Sequence, residues 1–176
     1  MGTAACHKTV MLIASVIYRD EKYRDLAVKL LVKRYGAFHF PAWQGPFDYT
    51  EYYCKEMGKP LNRCFYAFKK LVSPEDIYKT KLYSNAIERK YTKLGRRNVN
   101  VDPGYLSEAK LSLLTTKDYV HRIYLRSGIF AENTLQFKAG SFDTWPWTYP
   151  DYGQEEIRKY FNMLREIYRC ESGMRR

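Results

Sequence analysis

Nine residues near the N-terminus, Val10 to Tyr18 (VMLIASVIY), constrain the fold more than any other stretch of this chain. The run has one polar interruption, Ser15, and ends at Arg19-Asp20. Crossing a bilayer takes about 18 consecutive apolar residues, so the run is too short to span one. A secretory leader would carry positive charge before the run and a small-residue cleavage site after it. Here Lys8 is a weak start, and the run leads directly into a charged helix. A short apolar run bounded by charge reads instead as a strand buried on both faces, in a cytoplasmic protein.

The remaining elements are placed around that strand. Asp20 is an N-cap, Tyr23, Leu26, Ala27, Leu30 and Leu31 recur at helical spacing, and Gly36 closes the helix. Ala37 to Phe40 is a short strand candidate before Pro41. Residues 41–60 read as irregular and aromatic, a segment that packs across the sheet or over a pocket. Arg63 to Val72 alternates as a strand, and Ser73-Pro74-Glu75-Asp76 opens a helix expected to reach about Lys93. Asn98 to Val101 reads as a strand that stops at Asp102-Pro103-Gly104. Residues 106–114 fit a helix or a strand equally. His121 to Leu125 and Ile129 to Phe137 flank Arg126-Ser127-Gly128 as a hairpin, and Ile157 to Tyr168 is an amphipathic helix. The expected fold is α+β: a ferredoxin-like β-α-β-β-α-β core extended by an antiparallel hairpin and a C-terminal helix, with residues 1–176 as one domain.

Charge enters because it is uneven. The chain carries a net +11, yet residues 55–97 hold 12 Lys/Arg against 4 Asp/Glu, while residues 99–152 hold 5 against 6. The basic group Lys79, Lys81, Arg89, Lys90, Lys93, Arg96 and Arg97 reads either as a surface for RNA phosphates or as a solvated helix face. No RNP-like strand, helix-turn-helix signature or GxxG clamp accompanies it. The four cysteines show no CxxC spacing, so no zinc site is expected.

Phosphate-cradling loops are missing from the sequence. No GxxxxGK[ST], GxGxxG or GxSxG occurs, which removes support for a P-loop, a dinucleotide fold and a nucleophile elbow. Thr115-Thr116-Lys117-Asp118 places lysine and aspartate side by side, unlike a guanine-specificity motif, so a conventional GTPase is not indicated. Cofactors are left unassigned.

The stretch from Asp102 to Tyr152 carries the candidate chemistry. Asp102, Asp118, His121 and Glu132 are the candidate acid–base groups, with Asp118 orienting the His121 imidazole. Lys117 and Arg122 are candidate anion-holding groups. In an extended chain His121 and Arg122 would point to opposite faces, so only a bulge would let both line one pocket. Glu132 lies in an otherwise apolar strand and, if inward, needs Lys117 or Arg122 as partner. Trp147, Tyr149 and Asp151 belong to the rigid WPWTYPDY segment, either a platform for a planar ligand or a packed lid. On the second helix, Lys81, Asn85 and Glu88 form one polar stripe, solvated unless it faces the sheet.

FDYTEYYCKEMG (47–58), SPEDIYKTKLYSNAIE (73–88), NVDPGYL (100–106), TKDYVHRIYL (116–125), GIFAENTL (128–135) and PWTYPDY (146–152) together resemble a bacterial family described as domain of unknown function 4416. The resemblance covers nearly the whole chain and brings no activity with it. It implies that Tyr53, Glu56, Asn85, Glu88 and Asp102 meet in one cleft with Lys117, Asp118, His121, Arg122, Glu132 and Asp151. The expected function is binding, or acting on, an anionic small molecule that is nucleotide-like or phosphorylated. The alternatives are an RNA-binding accessory protein using residues 55–97 and a structural partner-binding module. No membrane partner is expected, and the oligomeric state is left open.

Overall fold

A computed structural model of the chain describes residues 2–40 and 42–173. The apolar run is strand β1 (Met11–Tyr18), every residue of which is buried. Its side chains alternate between two apolar layers, with Leu12, Ala14, Val16 and Tyr18 in one and Met11 and Ile13 in the other. Helix α1 (Glu21–Tyr35) follows, its first turn capped where the Asp20 carboxylate accepts from the Lys22 N–H. Gly36 ends it with φ 87° and an N–H bonded to the Val32 carbonyl.

The other elements are β2 (Trp43–Pro46), a single turn of helix α2 (Cys54–Met57), β3 (Asn62–Ala67), α3 (Tyr78–Lys90), β4 (Val99–Leu106), β5 (Lys110–Thr115), β6 (Arg122–Arg126), β7 (Ile129–Lys138), β8 (Ser141–Thr144) and α4 (Glu155–Glu171). The strands form one antiparallel sheet in the order β2-β3-β1-β4-β5-β7-β6, with β8 also beside β7. Ala27 and Leu31 of α1 and Ile87 of α3 join the layer containing Val16, whereas Phe161, Leu164 and Tyr168 of α4 join the layer containing Met11. Taking each of the larger ones, such as Leu31, Ile87, Phe161 and Leu164, out of water contributes about 1.5–3 kcal/mol. Among the described residues no helix is long and apolar enough to cross a membrane.

Several local expectations are corrected. Ala37–Phe40 is not a strand: Phe38 makes a single bridge to Phe68, and Pro41 lies outside the described residues. The strand is Trp43–Pro46, inside the segment read as irregular, because Trp43 sits opposite Phe65 with ring centroids 5.4 Å apart. That aromatic cross-strand pair stabilises an edge strand, where Pro46 is tolerated. Strand β3 ends at Ala67, well before Val72. Ser73 caps a 3-10 turn, Pro74–Asp76, that leads into α3. Helix α3 stops at Lys90, because Lys93 and Arg96 close a tight turn through reciprocal backbone bonds. Residues 110–115 resolve the ambiguous stretch as strand.

The largest correction concerns Asp102-Pro103-Gly104, which is not a turn. Strand β4 runs straight through it, with Asp102 opposite Ser15 and Pro103 opposite Ala14. Gly104 is required by close approach, since a Cβ there would lie 2.4 Å from the Ser112 carbonyl oxygen. Strands β4 and β5 pair only over Gly104–Leu106 and Leu111–Leu113. Beyond Gly104 they separate, and the gap between them is where the candidate site lies.

Candidate functional site

Separation of β4 from β5 leaves the Val101 peptide groups without a strand partner on that side. Helix α3 supplies substitutes from its polar stripe. The Val101 N–H donates to Glu88 Oε1 at 2.9 Å, and the Val101 carbonyl accepts from Lys81 Nζ at 3.3 Å. Buried backbone groups must be paired, so the stripe of Lys81, Asn85 and Glu88 faces the sheet and is not solvated. Lys81 and Glu88 are only 6% and 8% exposed.

These contacts begin a connected network on the cleft floor. Lys81 Nζ donates to Asp102 Oδ1 at 2.8 Å, and Asn100 Nδ2 donates to Asp102 Oδ2 at 2.6 Å. Arg97 donates to Asn100 Oδ1 at 3.0 Å, to Glu88 at 3.2 Å and to Glu56 of α2 at 2.7 Å. Burial opposes the charges of Lys81 and Asp102, but their mutual attraction wins, raising the lysine pKa and lowering the aspartate pKa. Burial dominates at Glu88, where it outweighs Lys81 and raises the carboxyl pKa. Two carboxylates in one cleft thus have acidities displaced in opposite directions.

The cleft has a volume of about 390 Å³. Its second wall comes from Leu113 to Lys117 at the end of β5 and from Glu132 of β7. Over it lie the aromatic arm Phe47–Tyr53 and the turn Tyr149–Tyr152. Arg63 of β3 ion-pairs with Asp151, and its guanidinium lies 4.3 Å from the Phe47 ring centroid and 5.3 Å from that of Tyr152. Burial pushes the Tyr152 hydroxyl up to about 12 and raises those of Tyr53 and Tyr149 as well, so all three remain neutral donors. Lys117 Nζ lies 4.6 Å from the Tyr52 ring centroid and 3.5 Å from its hydroxyl, and it has no carboxylate partner among the described residues.

Eight of the expected site residues line this cleft: Tyr53, Asn85, Glu88, Asp102, Lys117, Glu132, Tyr149 and Asp151. His121, Arg122 and Trp147 stand behind its wall. Arg122 Nε donates to Glu132 Oε2 at 2.7 Å, and His121 Nε2 lies 3.3 Å from the same oxygen. They reach one carboxylate because His121 lies in the turn before β6, which begins at Arg122, so strand alternation does not separate them. Asp118 is exposed, and the carboxylate that meets His121 is Glu132. The expected Asp118–His121 pair is therefore not formed.

Trp147 stacks parallel to Trp145 (5.2 Å, 5°) and to His121 (5.1 Å, 9°), and its indole N–H donates to the Asn133 carbonyl. Its stacking capacity is spent within the protein, as a packed lid requires and a ligand platform does not.

Arg63, Arg97 and Asn100 are site residues that the sequence reading missed. An arginine inside the buried strand NRCFYA was one available signal. Asn100 and Asp102, two apart on a strand and so on one face, were another. Within the basic group, Lys81 and Arg97 are drawn into the cleft and do not belong to a surface patch.

A family model described as a domain of unknown function, DUF4416, matches residues 8–168. No curated protein and no solved structure matches the chain.

Proposed function

The chain belongs to the DUF4416 family, whose description names no activity, and from the cleft itself we propose that it binds a small anionic organic molecule between the β4–β5 gap and the aromatic arm. The observation that carries this reading is the distribution of paired charge. Arg63, Lys81 and Arg97 are each committed to carboxylates, whereas Lys117 at the mouth contacts only Tyr52. An entering phosphate or carboxylate finds its free cation there, while the rings of the arm cover the ligand body.

The order β2-β3-β1-β4, antiparallel throughout, supports reading residues 11–106 as a ferredoxin-like core within a single domain.

The test is isothermal titration with inorganic phosphate and ribose 5-phosphate. The reading requires that ribose 5-phosphate bind and that Lys117→Met weaken it at least about tenfold, with Lys90→Met unaffected. Equal binding to the Lys117→Met variant and the wild type, or no binding at all, overturns it.

A further inference from the structure

The stripe on α3 contains one residue that the fold leaves without a protein partner. Lys81 and Glu88 are used up on Val101, Asp102 and Arg97. Asn85, between them on the same helix face, lines the cleft but has no hydrogen-bond partner among the described residues. Tyr53 likewise lines the cleft, its hydroxyl has no hydrogen-bond partner among the described residues, and burial keeps it protonated. Both are half-buried, and neither is engaged by another protein group, so these are the groups free to meet a ligand.

A carboxamide offers a donor and an acceptor side by side, in one plane. Its natural complement is a planar ring edge with an adjacent acceptor and donor, as nucleobases present. The aromatic arm supplies faces on which such a ring stacks. Building on the reading of the cleft as an anion-binding site, we propose that Asn85 is a specificity-determining residue that pairs with the edge of a nucleobase-like heteroaromatic ring, making the ligand a base-bearing phosphate of mononucleotide size. Lys117 takes the phosphate, Asn85 takes the ring edge, and the Tyr53 hydroxyl donates to a further acceptor. The cleft volume of about 390 Å³ lies at the small end of the range for ligand pockets, roughly 300–1,000 Å³, and so favours a mononucleotide over a longer chain.

The full chain is titrated calorimetrically with the four nucleoside 5′-monophosphates and with ribose 5-phosphate, which lacks only the base. At least one mononucleotide should bind about tenfold or more tightly than ribose 5-phosphate, the low end of what one bidentate pair discriminates. Asn85→Leu and Asn85→Ser should both reduce that ratio to about one while leaving ribose 5-phosphate affinity unchanged. If Asn85→Leu does not fold, the Asn85→Ser result decides. Wild-type protein that binds ribose 5-phosphate as tightly as every nucleotide overturns the role of Asn85 but leaves the anion site standing. A nucleotide preference that survives in both variants overturns it too. Failure of all five compounds to bind overturns both proposals.

Discussion

Glu88 accepts a hydrogen bond from the Val101 backbone N–H at 2.9 Å, where a neighbouring strand would otherwise lie. Together with Lys81 on the Val101 carbonyl, it lets the sheet open between β4 and β5 without leaving buried peptide groups unpaired. A helix side-chain stripe thus stands in for a strand edge, and the cleft exists because it does.

Removing that acceptor should be costly. Glu88→Ala strands the Val101 N–H and should lower unfolding free energy by about 1–3 kcal/mol in urea titrations, while Glu88→Gln, which keeps an oxygen in place, should lose less.

The two cleft carboxylates predict opposite pH signatures. The Asp102 carboxyl is held below its ordinary range, so its contribution is complete above the unfolded-state pKa and is lost as pH falls through the folded value. Asp102→Asn should therefore remove part of the acid-induced loss of Tm below about pH 4. Glu88 has a raised pKa, so the folded state binds its proton more tightly than the unfolded state, and stability declines as pH rises through the folded value. Glu88→Gln should remove that decline in a series of thermal melts.

Arg122 is required to neutralise Glu132, which is only 2% exposed. Arg122→Ala leaves the buried Glu132 carboxylate with His121 as its remaining partner and should cost about 3 kcal/mol, the low end for breaking a buried pair. Asp118→Ala, on an exposed side chain, should change stability by no more than about 0.5 kcal/mol. Equal effects of the two substitutions in denaturant titrations would contradict the pairing described above.

Gly104 marks where β4 and β5 rejoin. Its replacement by Ala would drive a methyl group to within 2.4 Å of the Ser112 carbonyl and should destabilise by about 1–3 kcal/mol. Gly2→Ala, with nothing within 4 Å, is the neutral comparison in the same melts.

Ala139 and Gly140 form the two-residue turn between β7 and β8, with φ of 50° and 87°. Both angles suit a type I′ turn, for which Asn-Gly is favoured and alanine is strained. Ala139→Asn should raise stability by about 1 kcal/mol, read from the shift in urea midpoint.

Elements governed by neighbours in sequence were legible without the structure. The β1 run, the Asp20 cap, the Gly36 stop, the Ser127-Gly128 hairpin and the amphipathic α4 all rest on spacing or on local backbone conformation. Asp102-Pro103-Gly104 was misread because the same logic assigns it a turn. Its extended conformation depends on pairing with β1, which lies far earlier in the sequence, and the close approach of Ser112 from the next strand fixes glycine at 104.

The candidate site divides along the same line. The residue types that carry chemistry, and the segments 47–58, 73–88 and 100–152 that hold most of them, could be named from the sequence. Whether Lys81, Asn85 and Glu88 were solvent-facing or cleft-facing could not, because a polar stripe looks the same either way until the opposing surface is known. By itself the sequence determined a strand buried on both faces and the helix after it, from its Asp20 cap to its Gly36 stop, since capping and periodicity act within a few residues. Only the tertiary structure decided that β4 and β5 part, that α3 fills the edge between them, and that His121 and Arg122 share Glu132. Those outcomes follow from pairing buried donors, acceptors and charges that meet only once the sheet has formed.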